Sequence, residues 1–287
     1  MAIDLIDKIK GTMPEMSKGH KKIAEYILEH SDKAAFLTAT KLGERMGISE
    51  STVVRFAIRV GFNGYPEFQK ALQSSIRAKL TSVQRIEVSN DRIGEGEVLY
   101  KVLTSDMENI KISLDGIQID AFNRAVELIC EAKEIYIIGV RSSSMLANFL
   151  QYYLDLILNN VHLIQPTSAS EMFERVLRIS KGDVMIGISF PRYSKRTVNA
   201  VEYAKRRGAD IIAITDSESS PILSFADCPL YAKSDMASFV DSLVAPLSVI
   251  NALIVAIGRK KKETLANTFR ELEDIWEEYN VYEKPHG

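Results

Sequence analysis

Two cysteines, Cys130 and Cys228, are all that 287 residues carry. They match neither a disulfide framework nor a zinc ligand set. Histidine is nearly as scarce: none of His20, His30, His162 and His286 has a partner at metal-ligand spacing, so no metal or other cofactor is expected. No apolar run reaches the roughly 18–20 residues that cross a bilayer. The longest, Leu243 to Ile257, is interrupted by Pro246 and Asn251 and reads as a buried helix. The start, Met1-Ala2-Ile3-Asp4, has no basic region leading into an apolar core, so no secretory signal is expected. Internal repeats and low-complexity tracts are missing too. These absences point to a cytoplasmic chain without a membrane partner.

What is present divides unevenly along the chain. The length favours two domains. The first eighty residues hold 13 Lys+Arg against 9 Asp+Glu, and the remainder 23 against 29. A basic segment on an acidic body suits a polyanion-binding module joined to something else. The basic part reads as short helices: one capped by Ser17 with Ile23, Ala24, Ile27 and Leu28 at helical spacing, others over 39–47 and 50–60, and a fourth from Pro66. Polar residues 74–95, with Ser89-Asn90-Asp91, Gly94 and Gly96, read as a linker, followed by a helix over 97–112.

The second half changes rhythm. Short apolar runs at Ile135–Gly139, Val161–Ile164, Val184–Ser189, Ile211–Thr215 and Leu230–Ala232 alternate with helical stretches near 142–159, 169–179, 195–207 and 237–258. Strands apolar on both faces and spaced by helices predict a parallel sheet covered on both sides. The expected fold is therefore an all-α first domain followed by a doubly wound α/β domain, with ligands at the carboxyl ends of its strands.

The strongest local motif is Leu42-Gly43-Glu44-Arg45-Met46-Gly47-Ile48-Ser49-Glu50-Ser51-Thr52-Val53-Val54-Arg55-Phe56. Two helices crossing steeply need a small residue at the crossing, which Gly43 supplies, and a turn tolerating positive φ, which Gly47 supplies. Leu42, Met46, Ile48, Val53 and Phe56 are expected to point inward. Every spacing fits a helix-turn-helix whose second helix starts after a capping Ser49. Ser51, Thr52, Arg55 and Arg59 then lie near one outward face. Arg55 is the candidate for a bidentate contact to guanine, and the hydroxyls suit bases or phosphates. Glu50 is placed to read cytosine N4 or to favour the helix N-terminus.

Two loops in the second half carry anion chemistry. Gly139-Val140-Arg141-Ser142-Ser143-Ser144 and Ser189-Phe190-Pro191-Arg192-Tyr193-Ser194-Lys195-Arg196-Thr197 each leave a strand and open a helix. Backbone N–H groups, hydroxyls and arginines at such a turn favour an anion. Each serine taken singly reads equally well as a helix cap.

The 42–56 block, continued by Val60-Gly61-Phe62-Asn63-Gly64-Tyr65-Pro66-Glu67-Phe68, closely resembles the DNA-binding domain of the RpiR family of bacterial transcription regulators. In that family the second domain is a SIS (sugar isomerase) domain, and the alternating half looks like one. The resemblance implies a helix-turn-helix domain over 1–78, a linker and connecting helix over 79–120, and a SIS domain over 121–287. The helix-turn-helix reading places DNA contacts at Ser49, Glu50, Ser51, Thr52, Arg55 and Arg59. The matching positions for the phosphate of a phosphosugar effector are Ser143, Ser189 and Ser194, and the chemistry of the two loops adds Arg141, Ser142 and Arg192 as expected ligand contacts. Thr215-Asp216-Ser217, before Ser220-Pro221, is a third segment that resembles the family. Two departures stand out: Arg141 replaces a usual glycine, and Pro191-Arg192 replaces Ser-Gly. The resemblance further implies a homodimer or homotetramer acting on operator DNA in carbohydrate metabolism.

The competing reading is a phosphosugar isomerase, or related SIS enzyme, with an accessory helical domain. Isomerisation needs a base over the carbon beside the carbonyl, and no convincing Glu/His pair is apparent. Glu171 and Asp235 lie just beyond strands but read as solvated carboxylates. Lys260-Lys261-Lys262 reads as a charged helix junction. Leu265, Phe269, Leu272, Trp276 and Tyr279 form a stripe that fits the body or a second subunit equally well. A pure scaffold leaves both loops without a role.

Overall fold

The computed structural model describes residues 5–77, 81, 83–86, 97–236 and 240–282. The putting together of Ser89-Asn90-Asp91, Gly94 and Gly96 as a linker lies outside these residues, as does His286. The chain divides into two compact units, with the boundary between Val98 and Leu99.

The first unit holds α1 (Leu5–Thr12), α2 (Lys18–Glu29), α3 (Ser31–Ala34), α4 (Ala39–Met46), α5 (Glu50–Arg59) and α6 (Tyr65–Arg77). Ile9, Ile23, Ile27, Leu42, Phe56, Phe68 and Leu72 are fully buried at its centre. Phe56 and Phe62 each meet Phe68 edge-on, at 5.6 and 5.5 Å between ring centres. Helix α6 secures the chain between α3 and α4 through polar tips. Tyr65 Oη and Gln69 Nε2 both donate to the Leu37 carbonyl at 2.7 Å, and Gln73 Nε2 donates to that of Ala35.

The second unit begins with α7 (Val98–Asp115) and α8 (Ile119–Glu131), then alternates: β1 (Ile135–Gly139), α9 (Ser143–Ile157), β2 (Val161–Ile164), α10 (Ala169–Val176), β3 (Val184–Ile188), α11 (Lys195–Arg206), β4 (Asp210–Thr215) and β5 (Cys228–Tyr231). Helices α12 (Val244–Lys260) and α13 (Lys262–Glu278) close it. The strands pair in parallel in the order β2-β1-β3-β4-β5. One face packs on α8, α9 and α12 around Ile137, Ile186, Leu150 and Leu253. The other packs on α10 and α11 around Ile138, Met185, Met172 and Val201. This is the doubly wound parallel sheet expected.

Three local expectations change. The inner strands β1 and β3 are buried throughout, but β2 and β5, the sheet's edges, are not covered on both faces: β2 buries only Ile164, and β5 buries only alternate residues, Cys228 and Leu230. Helix α12 starts at Val244 and not near 237, which places Pro246 in its first turn, where a missing N–H costs nothing. It is also not buried all round, since Val255 is 55% exposed. Helix α7 turns Asn109 and Ser113 to its own unit, where Asn109 Nδ2 donates to the Asp235 carbonyl. Its other side leaves Tyr100, Leu103, Met107, Ile110 and Leu114 exposed, a 3-4-3-4 spacing.

Candidate functional site

Helices α4 and α5 meet as a helix-turn-helix demands. A Cβ on Gly43 would stand 2.5 Å from the Ile48 carbonyl oxygen, so only glycine allows the crossing. Gly47 ends α4 at φ 62°, the left-handed conformation that glycine adopts without strain. Leu42, Met46, Val53 and Phe56 are buried as predicted, whereas Ile48 is only half-buried because it lies in the turn itself.

The outward face of α5 differs from its sequence reading at one residue. Ser49 occupies the N-cap position, but its hydroxyl caps no helix N–H. It is engaged instead by the hydroxyls of Ser51 (3.1 Å) and Thr52 (2.9 Å). Glu50 accepts from Thr40 Oγ1 at 2.9 Å, linking the two helices. Ser51, Arg55 and Arg59 are exposed, and Thr52 is half-buried. Arg59 pairs with Glu15 at 3.0 Å, and Arg55 donates to Thr52 Oγ1 at 3.4 Å. His20, in the first turn of α2, stacks edge-on against Phe56. Burial, and next the charge of Arg55, hold its imidazole below the ordinary histidine range. Its role was not legible in sequence, because the α2–α5 contact that creates it is a long-range one.

In the second unit the strand order reverses between β1 and β3, which pair directly, Gly139 opposite Ile188. A crevice at such a switch point, outside the carboxyl ends, is where doubly wound folds bind ligands. The two serine- and arginine-bearing loops leave these two strands. Gly139 lets the first loop turn tightly, since a Cβ there would lie 2.4 Å from the Ser143 carbonyl oxygen. Both loops then pass through a left-handed residue that is not glycine: Arg141 at φ 61° and Arg192 at φ 67°. The need for positive φ gives the physical reason why glycine suits these positions.

Ser142 and Ser194 stand at the N-caps of α9 and α11, yet neither hydroxyl caps its helix. Ser17, Thr38 and Ser168 do cap theirs. The helix-cap explanation therefore fails for the two serines at the crevice. Ser143 is buried in the first turn of α9. Ser189 and Thr197 are 2% and 0% exposed, and neither hydroxyl has a hydrogen-bond partner among the described residues. Gly187, one strand period before Ser189, faces Val201 of α11, so alternation aims Ser189 at that helix, near its first turn. Thr197 is the residue that sequence reading passed over, although Ser194 three residues earlier puts both hydroxyls on one turn.

The third segment closes on the second loop. Thr215 Oγ1 donates to the Ser189 carbonyl at 2.7 Å, and Tyr193 Oη to Asp216 Oδ1 at 2.9 Å. Burial, then the charge of Asp216, pushes the Tyr193 hydroxyl up to about 12. Glu171 is structural. It accepts from the backbone N–H and hydroxyl of Thr167 while Ser168 accepts from its N–H, a reciprocal cap at the start of α10. Those bonds hold its carboxyl below the usual range.

Residues 3–79 match the helix-turn-helix domain of the rpiR family, and residues 128–256 match the SIS domain. The chain belongs to the RpiR family. An uncharacterized HTH-type transcriptional regulator of Caldanaerobacter subterraneus is 26% identical over 266 residues, covering 90% of this chain and 92% of that one. The sugar isomerase domain of an RpiR transcription factor from Sphaerobacter thermophilus superposes with a TM-score of 0.60 at 29% identity, over 62% of this chain and 99% of that one. NanR of Vibrio vulnificus matches across both units, with a TM-score of 0.59 at 23% identity over 98% of this chain and all of that one. This RpiR-family chain is thus a helix-turn-helix transcription regulator.

Proposed function

We propose that this regulator acts in the cytoplasm on genes of carbohydrate metabolism, and that a phosphosugar bound at the β1/β3 crevice sets its affinity for operator DNA. The observation that carries the reading is the pair of N-cap serines, Ser142 and Ser194, whose hydroxyls leave their helices uncapped at adjoining strand ends. Phosphate oxygens would be held by Ser143, Ser189 and Ser194, with charge from Arg141 and Arg192. Leaving the Ser189 hydroxyl buried and unpaired costs about 1–3 kcal/mol, which an anion drawn against it would recover. The NanR structure holds ManNAc-6P, a phosphorylated sugar, in support of this class. On the DNA side, Ser49, Glu50, Ser51, Thr52, Arg55 and Arg59 would line the reading face of α5. Coupling is by linkage: effector and operator bind two arrangements unequally, and each changes the other's affinity by the same factor.

Turnover of the effector is not part of the reading. In the second unit the Glu/His pair among the described residues, Glu134 with His162 at 2.6 Å, sits at the amino end of β1, opposite to the loops. Replacing Ser189 and Ser194 by alanine should abolish the effector response in operator-binding titrations while leaving operator affinity intact. An unphosphorylated sugar binding as well as its phosphate would refute the phosphate assignment, and steady conversion of a phosphosugar by the purified protein would overturn the non-enzymatic reading.

The regulator is proposed to work as a homodimer or homotetramer, since two reading helices double the contacts on a palindromic site. The exposed seam of α7 supports this. Tyr100, Leu103, Met107, Ile110 and Leu114 follow the heptad spacing that another helix of equal spacing covers, and α7 of a second copy meets that requirement. A tetramer needs a further face. Helix α13, which has no buried residue, borders a groove of about 700 Å³ with Tyr153, Leu156, Val255 and Phe269. Its basic start at Lys261-Lys262 and acidic end at Glu277-Glu278 complement each other when two copies lie antiparallel.

A further inference from the structure

We infer that DNA binding draws a proton onto His20, which makes this histidine of α2 a pH-sensitive partner of the reading helix. The first turn of α2 lies against the first turn of α5: a Cβ on Gly19 would stand 3.5 Å from Thr52 Cγ2. One residue on, the His20 ring meets Phe56 edge-on at 5.9 Å between centres. Phe56 is fully buried, so it fixes where the imidazole sits. The half-buried ring therefore lies beside the stretch of α5 that carries Thr52 and Arg55. A reading helix meets DNA with its N-terminal residues, and this flank then faces the phosphates that border the groove.

Without DNA the surroundings oppose a proton on His20. Burial ranks first, then the charge of Arg55, and Arg59 acts in the same direction; a hydrogen bond to the Thr52 backbone works against them. Glu15, ahead of α2, is engaged by Arg59. On its own helix there is no acidic residue in the first turn, and Lys18, Lys21 and Lys22 add positive charge, the last donating to the Met46 carbonyl. The helix dipole also disfavours a cation at this end. DNA reverses the electrostatic part of that balance. Phosphates and base edges match the charge of Arg55 and Arg59, and the field of the polyanion favours every cation near it. Imidazole titrates near neutral pH, so the change appears as proton uptake. The bound imidazole then titrates above the free one. Affinity therefore rises as pH falls through the bound value, and the gain is complete below the free value.

Anisotropy titrations of the full-length protein on DNA selected from a random pool test this at fixed ionic strength. The wild type should bind about threefold or more tightly at pH 6 than at pH 8. His20→Gln removes the titrating group, while His20→Phe also removes it but keeps a ring against Phe56. Both variants should flatten the profile, whereas a purely structural role would lower affinity equally at the two pH values and leave the slope. Nuclear magnetic resonance of the imidazole should show its titration moving upward when DNA is added. A wild-type profile without slope, a slope surviving in His20→Phe, or an imidazole titration unmoved or lowered by DNA would overturn the inference.

Discussion

Gly43→Ala should damage DNA binding out of proportion to its single methyl. The added carbon would lie 2.5 Å from the Ile48 carbonyl oxygen, with Glu50 N at 3.4 Å and Ser49 C at 3.5 Å. Carbon needs about 3.5 Å for favourable contact with its neighbours. All three obstacles are backbone, so no side chain can swing aside, and relief requires moving the start of α5 away from α4. Alanine gains about 1 kcal/mol of helix propensity over glycine, while overpacking of this kind costs about 1–3 kcal/mol. The net is a loss of up to about 2 kcal/mol in the first unit, together with a displaced reading helix. Gly47→Ala is the control: nothing lies within 4 Å, and only its φ of 62° is penalised, at about 1–2 kcal/mol. The single tryptophan, Trp276, lies in the second unit, so its fluorescence should melt unchanged in both variants while far-UV circular dichroism reports the early loss of helix. Anisotropy titrations on DNA selected from a random pool should show Gly43→Ala weaker than Gly47→Ala. A Gly43→Ala protein matching the wild type in melting and affinity would refute the crossing described.

Arg55→Ala should cost about 1–3 kcal/mol per half-site on selected DNA and relax base preference; equal loss on random DNA would reassign Arg55 to backbone contact. Tyr193→Phe should destabilise the second unit near neutral pH. Because the folded hydroxyl titrates at about 12 against an ordinary 10, its contribution is fully present below pH 10 and lost as pH rises towards 12. The stability gap between wild type and variant should therefore close over that interval, and a constant gap would deny the burial of Tyr193. Leu103→Glu with Met107→Lys should shift the oligomer towards monomer by light scattering, and an unchanged mass would exclude the α7 seam as the pairing face.

Much of this was legible in the sequence because local rules govern it. The helix-turn-helix rests on two glycines whose roles are fixed within seven residues. The inner strands β1 and β3 announce themselves because both faces are covered and every residue is apolar. The edges were harder. The β5 run was placed at 230–232, yet pairing with β4 reaches back through Pro229 to Cys228, and register depends on a neighbour that is remote in sequence. The site divided in the same way. Serines and arginines in two loops were visible as chemistry, whereas their backbone conformation, the sealed hydroxyls of Ser189 and Thr197, and the Tyr193–Asp216 bond arise only when loop and segment meet. Capping by Ser49 was misjudged because Ser51 and Thr52 offer its hydroxyl nearer partners. The apolar seam of α7 escaped notice because its spacing takes on meaning only once the opposite side is seen to be occupied.

The left-handed arginines also bear on how the crevice can change over generations. Every arginine codon is one base change from a glycine codon, and both residues fit the backbone at 141 and 192, glycine the more easily. Exchange at either position changes the charge at the crevice without repacking a core residue, since both side chains are exposed. On the proposed effector reading, such single exchanges separate changes at the crevice from changes in the helix-turn-helix.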